Sequence, residues 1–457
     1  MKKFWTHQLT AWKYAKRKAF PALFMEMRLG KTLTAIRTVK MWKRYSMVLV
    51  VAPLSAHAGW IESLEEEEIP NISRLSGNGK TRRSVVRKGW FKAFMTARKS
   101  TTYFVTNPEC WRTIPEIKEY PWDVVILDES TFLKNPKSKV SAFFCNNFRD
   151  VPHRMILTGT PNPEGDLDLF QQMLFLRGGL LNHTSYWSFR VALFLPLGYR
   201  WVPKHGTKDR IAKAISRECF VLRRKDVQME AVRVYEKRTV ILPQKLRHIY
   251  STVEEEFLLE NMSGGILKVT SNAGARHAWL VGLASGIHDG KVVWDGKVQE
   301  LLSLLTGELC GESVVVWFER TASLLHAYDY LTRAGIKACE ILGATPSGLR
   351  EKRILAFQEN RYPVLLCQSQ CGAYGLDLSR SDTAIYYDTP TSTLIRTQSE
   401  DRIMHLRKAG KPLLFVDIIT EKTVAEDLHR LIVKKKGASA TMLDKIKMIQ
   451  ERRATHV

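Results

Sequence analysis

The sequence predicts an α/β protein: two parallel sheets flanked by helices, a helical insertion between the sheets and a short basic helix at the C-terminus. Three observations predict it. Short apolar runs alternate with amphipathic stretches, the pattern of parallel strands joined by crossover helices. The runs are short and apolar, as strands buried on both faces are. They also fall into two groups, on either side of a turn-broken stretch from about residue 165 to 310.

In the first group, MVLVVAP (47–53), TYFVTN (102–107), DVVILDE (123–129) and RMILTGT (154–160) read as buried strands. In the second, SVVVWFE (313–319), KACEIL (337–342), YPVLLCQ (362–368), TAIYYD (383–388) and PLLFVDII (412–419) do the same. The tail TMLDKIKMIQERR has apolar positions at helical spacing. The expected division is a first lobe over 1–235, a second over 236–436 with a helical N-terminal part to 310, and a basic tail over 437–457. A chain of 457 residues has room for two or three domains of ~100–200 residues.

Composition excludes several classes. No apolar run approaches the ~20 residues that span a bilayer. The N-terminus MKKFWTHQLTAWKYAKRKAF has no apolar core or small-residue cleavage site. Seven scattered cysteines, with no CxxC pair, argue for a reducing compartment and against a disulfide framework or zinc site. The reading is a cytoplasmic protein. The 70 Lys+Arg against 46 Asp+Glu leave a formal charge of +24. The basic residues cluster at 80–94, 223–227 and 433–436, so the expected partner is a polyanion, nucleic acid before any other.

Four stretches carry chemistry. MEMRLGKT (25–32) follows the apolar FPALFM and precedes a helical pattern. A turn ending Gly30-Lys31-Thr32 before a helix suits a phosphate: backbone N–H groups face the anion, Lys31 neutralises it and Thr32 can ligate magnesium. The usual first glycine is absent, Met25 standing there, so the tripeptide alone is a weak match. VVILDEST (124–131) ends a strand with Asp128 and Glu129. These could hold a magnesium bound to ATP phosphates, with Asp128 on the metal and Glu129 orienting water. Taken alone they read better as a helix cap and its first turn, and GKT about a hundred residues upstream reverses that preference. LTGTPNPEG (157–165) is a rigid turn with the hydroxyls of Thr158 and Thr160 around Gly159, or an ordinary strand-to-helix connection. In TQSEDRIMHLRK (397–408), Arg402, His405 and Arg407 fall near one helical face. A cation presented to a developing phosphate charge is worth ~10³–10⁵ in rate, although the stretch reads also as a solvated charged helix.

The order of these segments resembles the superfamily-2 helicase core, and specifically its Swi/Snf-type DNA translocases. The resemblance rests on Gln8, GKT (30–32), APLSAHAGW (52–60), DESTFLKNPKSK (128–139), TGTP (158–161), CFVLRRKDV (219–227), DGKVQELLSLL (295–305), QSQCGAYGLDL (368–378), YYDTPTS (386–392), QSEDR (398–402) and TVAEDL (423–428). It runs from about residue 5 to 433 and implies two RecA-like lobes. It also implies roles. Gln8 would read adenine, with Arg28, Leu29, Gly30, Lys31 and Thr32 around the phosphates and Mg²⁺. Asp128 would hold the metal and Glu129 would act as base. Thr158, Gly159 and Thr160 would couple nucleotide state to DNA. Gly375 and Asp377 would contact nucleotide, and Arg402 would be the arginine finger. DNA contacts would fall at Pro53, Ser55 and Trp60, at Asn107, and at Ser369 and Gln370.

Three departures from the pattern stand out. Arg28 replaces a glycine, Ser130-Thr131 replace Ala-His, and His405 occupies the place of a second finger, for which Arg407 is the candidate substitute. The resemblance is to the compact motors of bacteria and phages. It implies an ATP- and Mg²⁺-dependent translocase on double-stranded or branched DNA, of the kind used in repair, recombination or replication. Two other readings stay open: a strand-separating DNA or RNA helicase with the same ATPase, and a DNA-binding scaffold that does not hydrolyse ATP.

Overall fold

The computed structural model describes residues 3–42, 47–75, 77–95, 100–198, 200–263, 271–288, 290–372 and 376–454. The chain divides into two compact units, Met1–Gln228 with Lys435–Val457, and Met229–Lys434.

In the first unit the strands are β1 (Ala22–Met25), β2 (Met47–Val51), β3 (Asn71–Arg74), β4 (Thr102–Thr106), β5 (Val124–Asp128), β6 (His153–Thr158), β7 (Phe194–Leu197), β8 (Arg200–Pro203) and β9 (Cys219–Leu222). Seven of them form one parallel sheet in the order β3-β4-β2-β5-β6-β1-β9. β7 and β8 pair antiparallel as a separate hairpin. The helices are α1 (Thr6–Ala15), α2 (Lys31–Trp42), α3 (His57–Glu66), α4 (Gly79–Met95), α5 (Cys110–Thr113), α6 (Lys139–Asn147), α7 (Asp168–Arg177), α8 (Tyr186–Leu193) and α9 (Thr207–Ile215). β5 is buried along its whole length, which is why its sequence is a continuous apolar run. Its side chains join a core with Leu49, Phe104, Phe144 and Phe170. The β5-β6-β1 order sets three strand ends side by side, the place where open α/β sheets hold ligands.

The second unit has β10 (Val232–Val240), β11 (Ile287–His288), β12 (Lys291–Val292), β13 (Val314–Phe318), β14 (Ala338–Ile341), β15 (Val364–Gln368), β16 (Thr383–Tyr386) and β17 (Pro412–Thr420). Six form a parallel sheet, β10-β17-β16-β13-β15-β14, and β11 pairs with β12 antiparallel. Its helices are α10 (Gln244–Ser263), α11 (Ser271–Ser285), α12 (Gly296–Thr306), α13 (Thr321–Arg333), α14 (Ser347–Gln358), α15 (Ser369–Gly372), α16 (Thr393–Ile403) and α17 (Val424–Ala454). Two parallel sheets with flanking helices are thus present. Among the described residues no helix is long and apolar enough to cross a membrane.

Two boundaries differ from the expected ones. The division expected at 235/236 falls inside β10, which pairs with β17 over its whole length and lies in the second unit. The tail expected to stand apart from 437 is the continuation of α17, 31 residues long. From Lys435 onward that helix belongs to the first unit. Met442, Leu443 and Ile446 are buried in the first unit's core, Gln450 Nε2 donates to the Cys219 carbonyl at 2.6 Å, and Lys447 meets Asp226 at 2.5 Å. The tail's apolar spacing therefore reflects a docked helix.

Candidate nucleotide-binding site

The loop after β1 is built around left-handed backbone. Arg28 has φ +66° and Gly30 φ +80°. A Cβ at Gly30 would lie 1.8 Å from Gln8 Nε2, so only glycine allows α1 to press on the loop. Gln8 is buried, and its carbonyl accepts the Trp5 N–H at 2.9 Å. Leu29 is fully buried, whereas Lys31 and Thr32 are half-buried at the start of α2. Lys31 Nζ donates to the carbonyls of Met25 (2.8 Å) and Glu26 (3.4 Å), which keeps the ammonium inside the loop. Glu26 in turn accepts the Arg224 N–H at 2.9 Å, tying the loop to the segment after β9.

Two strands away, Asp128 ends β5. Its Oδ2 accepts the Trp60 indole N–H at 2.7 Å and its Oδ1 the Glu129 N–H at 3.0 Å. Burial pushes the Asp128 carboxyl above the usual carboxylate range, and the charge of Lys31 works in the opposite direction. Lys31 and Asp128 thus share one electrostatic site. Glu129 adopts φ +48° and ψ 53°, left-handed for a residue with a side chain, a conformation that costs of order 1–3 kcal/mol. Its Oε2 accepts the Thr158 hydroxyl at 3.3 Å, and Thr158 Oγ1 accepts the Thr160 N–H at 3.1 Å. A Cβ at Gly159 would stand 3.3 Å from Glu26 Cα and from the Met25 carbonyl, so the turn packs directly on the loop's backbone.

The structure adds a contact that the sequence reading missed. Ser130 Oγ donates to Gln172 Oε1 at 2.8 Å, and Gln172 Nε2 donates to the Pro161 carbonyl at 2.6 Å. Ser130 and Gln172 are both fully buried. One side chain of α7 therefore links the acidic strand end to the Thr-Gly-Thr-Pro turn. The signal was present: Gln171-Gln172 interrupt an apolar helix, and a buried polar group has to find partners.

Other expected residues are distributed as follows. Trp60, expected at DNA, is 1% exposed with its N–H engaged by Asp128, so its place is beneath the acidic pair and not at a surface. Pro53 and Ser55 are half-buried at the end of β2. Asn107 is buried, its carbonyl accepting Arg82 Nη1 at 2.9 Å. In the second unit, Ser369 is buried and Gln370 exposed, after β15. Asp377 is exposed and caps the Ser379 N–H at 3.1 Å; Gly375 lies outside the described residues.

Arg402 sits on α16, a polar helix that is nonetheless buried. An Arg396 pair with Asp417 (2.9 Å) and Glu400 (2.7 Å) holds that helix, and Arg396 keeps the Asp417 carboxyl below the usual range despite burial. Arg402 is 8% exposed, and its Nη1 donates to the Leu376 carbonyl at 3.4 Å. Arg407 instead lines a cavity of about 340 Å³ with His405, Arg380, Lys408 and Lys411.

Comparison with known proteins fits this frame. The SNF2-related domain matches residues 8–278, and the Helicase conserved C-terminal domain matches residues 296–407. The chain is 24% identical over 446 residues to "ATP-dependent DNA helicase DDM1" of Arabidopsis thaliana, covering 87% of this chain and 56% of that protein. It is 23% identical over 454 residues to "SWI/SNF chromatin-remodeling complex subunit snf22" of Schizosaccharomyces pombe, covering 88% of this chain and 25% of that protein. The chain thus spans about half, or less, of the length of these relatives. Among solved structures, "Sulfolobus solfataricus SWI2/SNF2 ATPase core in complex with dsDNA" is similar at 17% identity and a TM-score of 0.45, with 97% of each chain covered. With the SNF2-related domain matched over more than half its length, the chain belongs to the SNF2 family and carries that family's helicase-like ATPase domains.

Proposed function

We propose that this chain is a DNA-stimulated ATPase that translocates on double-stranded or branched DNA. The observation that carries the reading is the convergence, at adjacent strand ends of one sheet, of Lys31, Asp128, Glu129 and Thr158. Gly30 and the N-terminal turn of α2 supply N–H groups for phosphate, and Lys31 supplies the charge. The hard oxygens of Asp128 and Thr32 fit magnesium, which prefers one or two protein oxygens together with phosphate and water. Each Asp128 oxygen accepts a single described hydrogen bond, which leaves lone pairs for such a role. Bound Mg²⁺ would neutralise charge on the β- and γ-phosphates.

Glu129 is held by Thr158 in a fixed orientation and is the group to take a proton from the attacking water. The resemblance to the helicase core assigns to Arg402 the charge that develops on the transferred phosphoryl group. Thr158, Thr160 and Gln172 report the state of the acidic pair to the turn at 158–161. A formal charge of +24 favours a polyanionic track and predicts affinity that falls steeply with salt. Work on forks or branch points, in repair, recombination or replication, is the task proposed for such a motor in the cytoplasm of a bacterial or phage-infected cell.

The test is ATP hydrolysis measured with linear duplex, forked DNA, four-way junctions, single strands and RNA. Stimulation by duplex or branched DNA is expected. Stimulation by RNA alone would overturn the proposal, and no stimulation by any nucleic acid would leave a scaffold.

A further inference from the structure

In the first unit, α8 and the β7–β8 hairpin carry an unusual surface. Trp187 is 62% exposed, Val191 45%, Leu195 51% and Leu197 67%. Trp187 and Val191 are one helical turn apart on α8, and Leu195 and Leu197 share one face of β7. The two pairs lie on different sides of the hairpin: Leu195 pairs with Val202 on one face, whereas Trp201, the partner of Pro196, lies on the other face, where it meets Trp187.

The Trp187 side is built around a cation. The Arg190 guanidinium lies 4.5 Å from the Trp187 ring centre and 4.3 Å from that of Trp201. Among the described residues no carboxylate pairs with Arg190; the two indoles and the Tyr186 ring, 5.5 Å away, hold it, and Trp187 keeps most of its surface in solvent. The stack is braced from below. Lys204 Nζ donates to the carbonyls of Val191 and Ala192 at 2.9 Å, at the C-terminus of α8, and Thr207 Oγ1 donates to the Leu193 carbonyl at 2.9 Å.

Charge selects the occupant. Residues 178–217 contain seven Lys and Arg and a single acid, Asp209. That acid is neutralised by Lys445 at 2.6 Å. A protein surface would have to be strongly acidic to match this segment and would not explain an exposed indole stacked with a guanidinium. An unpaired nucleic-acid strand explains both, because its phosphates meet the cations and its bases stack on aromatic faces.

We infer that α8 and the β7–β8 hairpin form a docking platform for single-stranded nucleic acid, with a base stacked on Trp187 and the backbone steered by the basic segment around it. Resting on the proposed action on DNA, this names the part of a fork or junction that the platform grips: the unpaired arm.

The full chain and its variants are tested against three fluorescently labelled DNAs: a blunt duplex, a fork with one single-stranded arm, and an oligothymidine strand. Trp187→Ala is expected to weaken fork and single-strand binding by about 5- to 150-fold, the range for loss of one base stack. Blunt-duplex affinity, duplex-stimulated ATPase and melting temperature are expected to stay unchanged, because Trp187 is exposed. Trp187→Phe, which keeps a ring, is expected to recover most of the loss. Unchanged fork binding in Trp187→Ala would overturn the inference and point to a protein-docking patch. An equal loss on the blunt duplex would also overturn it, as the mark of a general backbone contact. If the wild-type chain binds duplex and hydrolyses ATP while Trp187→Ala is silent, only the platform falls. If the wild type binds none of the three DNAs, the proposed function falls with it.

Discussion

Replacing Gln172 with leucine tests whether the buried link between the acidic pair and the Thr-Gly-Thr-Pro turn carries function. The change keeps nearly the same volume and removes the hydrogen bonds to Ser130 and Pro161, together with a third to the Asp168 carbonyl. Ser130 Oγ and the Pro161 carbonyl then lose partners now held at 2.8 and 2.6 Å. A buried polar group left unpaired costs about 1–3 kcal/mol, so the two together cost roughly 2–6 kcal/mol before relaxation. Ser130→Ala removes one end of the same link. If the two residues act as one relay, the double variant costs less than the sum of the singles, with a coupling of about 0.5–3 kcal/mol. At 1.36 kcal/mol per tenfold, that coupling is roughly a 2- to 150-fold departure from multiplicativity in the DNA-stimulated rate. The assay is urea unfolding together with ATP hydrolysis, with and without duplex DNA, for wild type, both singles and the double. Additive effects would refute the relay. So would equal proportional losses in basal and stimulated rates, which would make Gln172 a packing residue only.

Other expectations follow from single groups. Arg402→Ala should lower the DNA-stimulated rate by ~10³-fold or more with ATP affinity nearly kept, measured by hydrolysis and nucleotide titration. Ile446→Ala, at a fully buried position of the docked tail, should cost about 2–5 kcal/mol in urea unfolding. Glu319 is raised by burial to about 7 from an ordinary 4.5. Its proton stays on in the folded state while the unfolded chain has lost it, so its contribution to stability is full below pH 4.5 and is lost as pH rises to 7. Glu319→Gln should remove that decline, gaining on the order of 3 kcal/mol above pH 7 relative to pH 4.5, read from unfolding across the range.

How much of this was legible depended on burial. β2, β4 and β5 are enclosed by the sheet, so their interiors are apolar, with polar residues only at the ends (Thr102, Thr106 and Asp128), and their places were readable. β10 escaped because it is an edge strand: in VRVYEKRTV the apolar Val232, Val234 and Tyr235 are exposed, while Arg233 and Arg238 are half-buried in ion pairs with Asp401 and Glu308, so no apolar run marks the strand. The motif residues at the strand ends were readable because phosphate chemistry restricts residue types. Their partners were not. Trp60 read as a surface contact, yet its indole serves a buried carboxylate 68 positions away. Gln172 meets Ser130 across 42 positions, a pairing that only the tertiary fold brings together. The apolar face of the tail was plain, but sequence spacing cannot say which body that face packs on; Met442, Leu443 and Ile446 pack on the first unit.

The most direct measurement is Glu129→Gln assayed for ATP binding and for turnover with duplex DNA. Removing one carboxylate charge while keeping its shape should leave binding within a few-fold of wild type and abolish stimulated hydrolysis. Turnover that survives the substitution would contradict the assignment of Glu129 as the base, and with it the motor built on Lys31, Asp128 and Thr158.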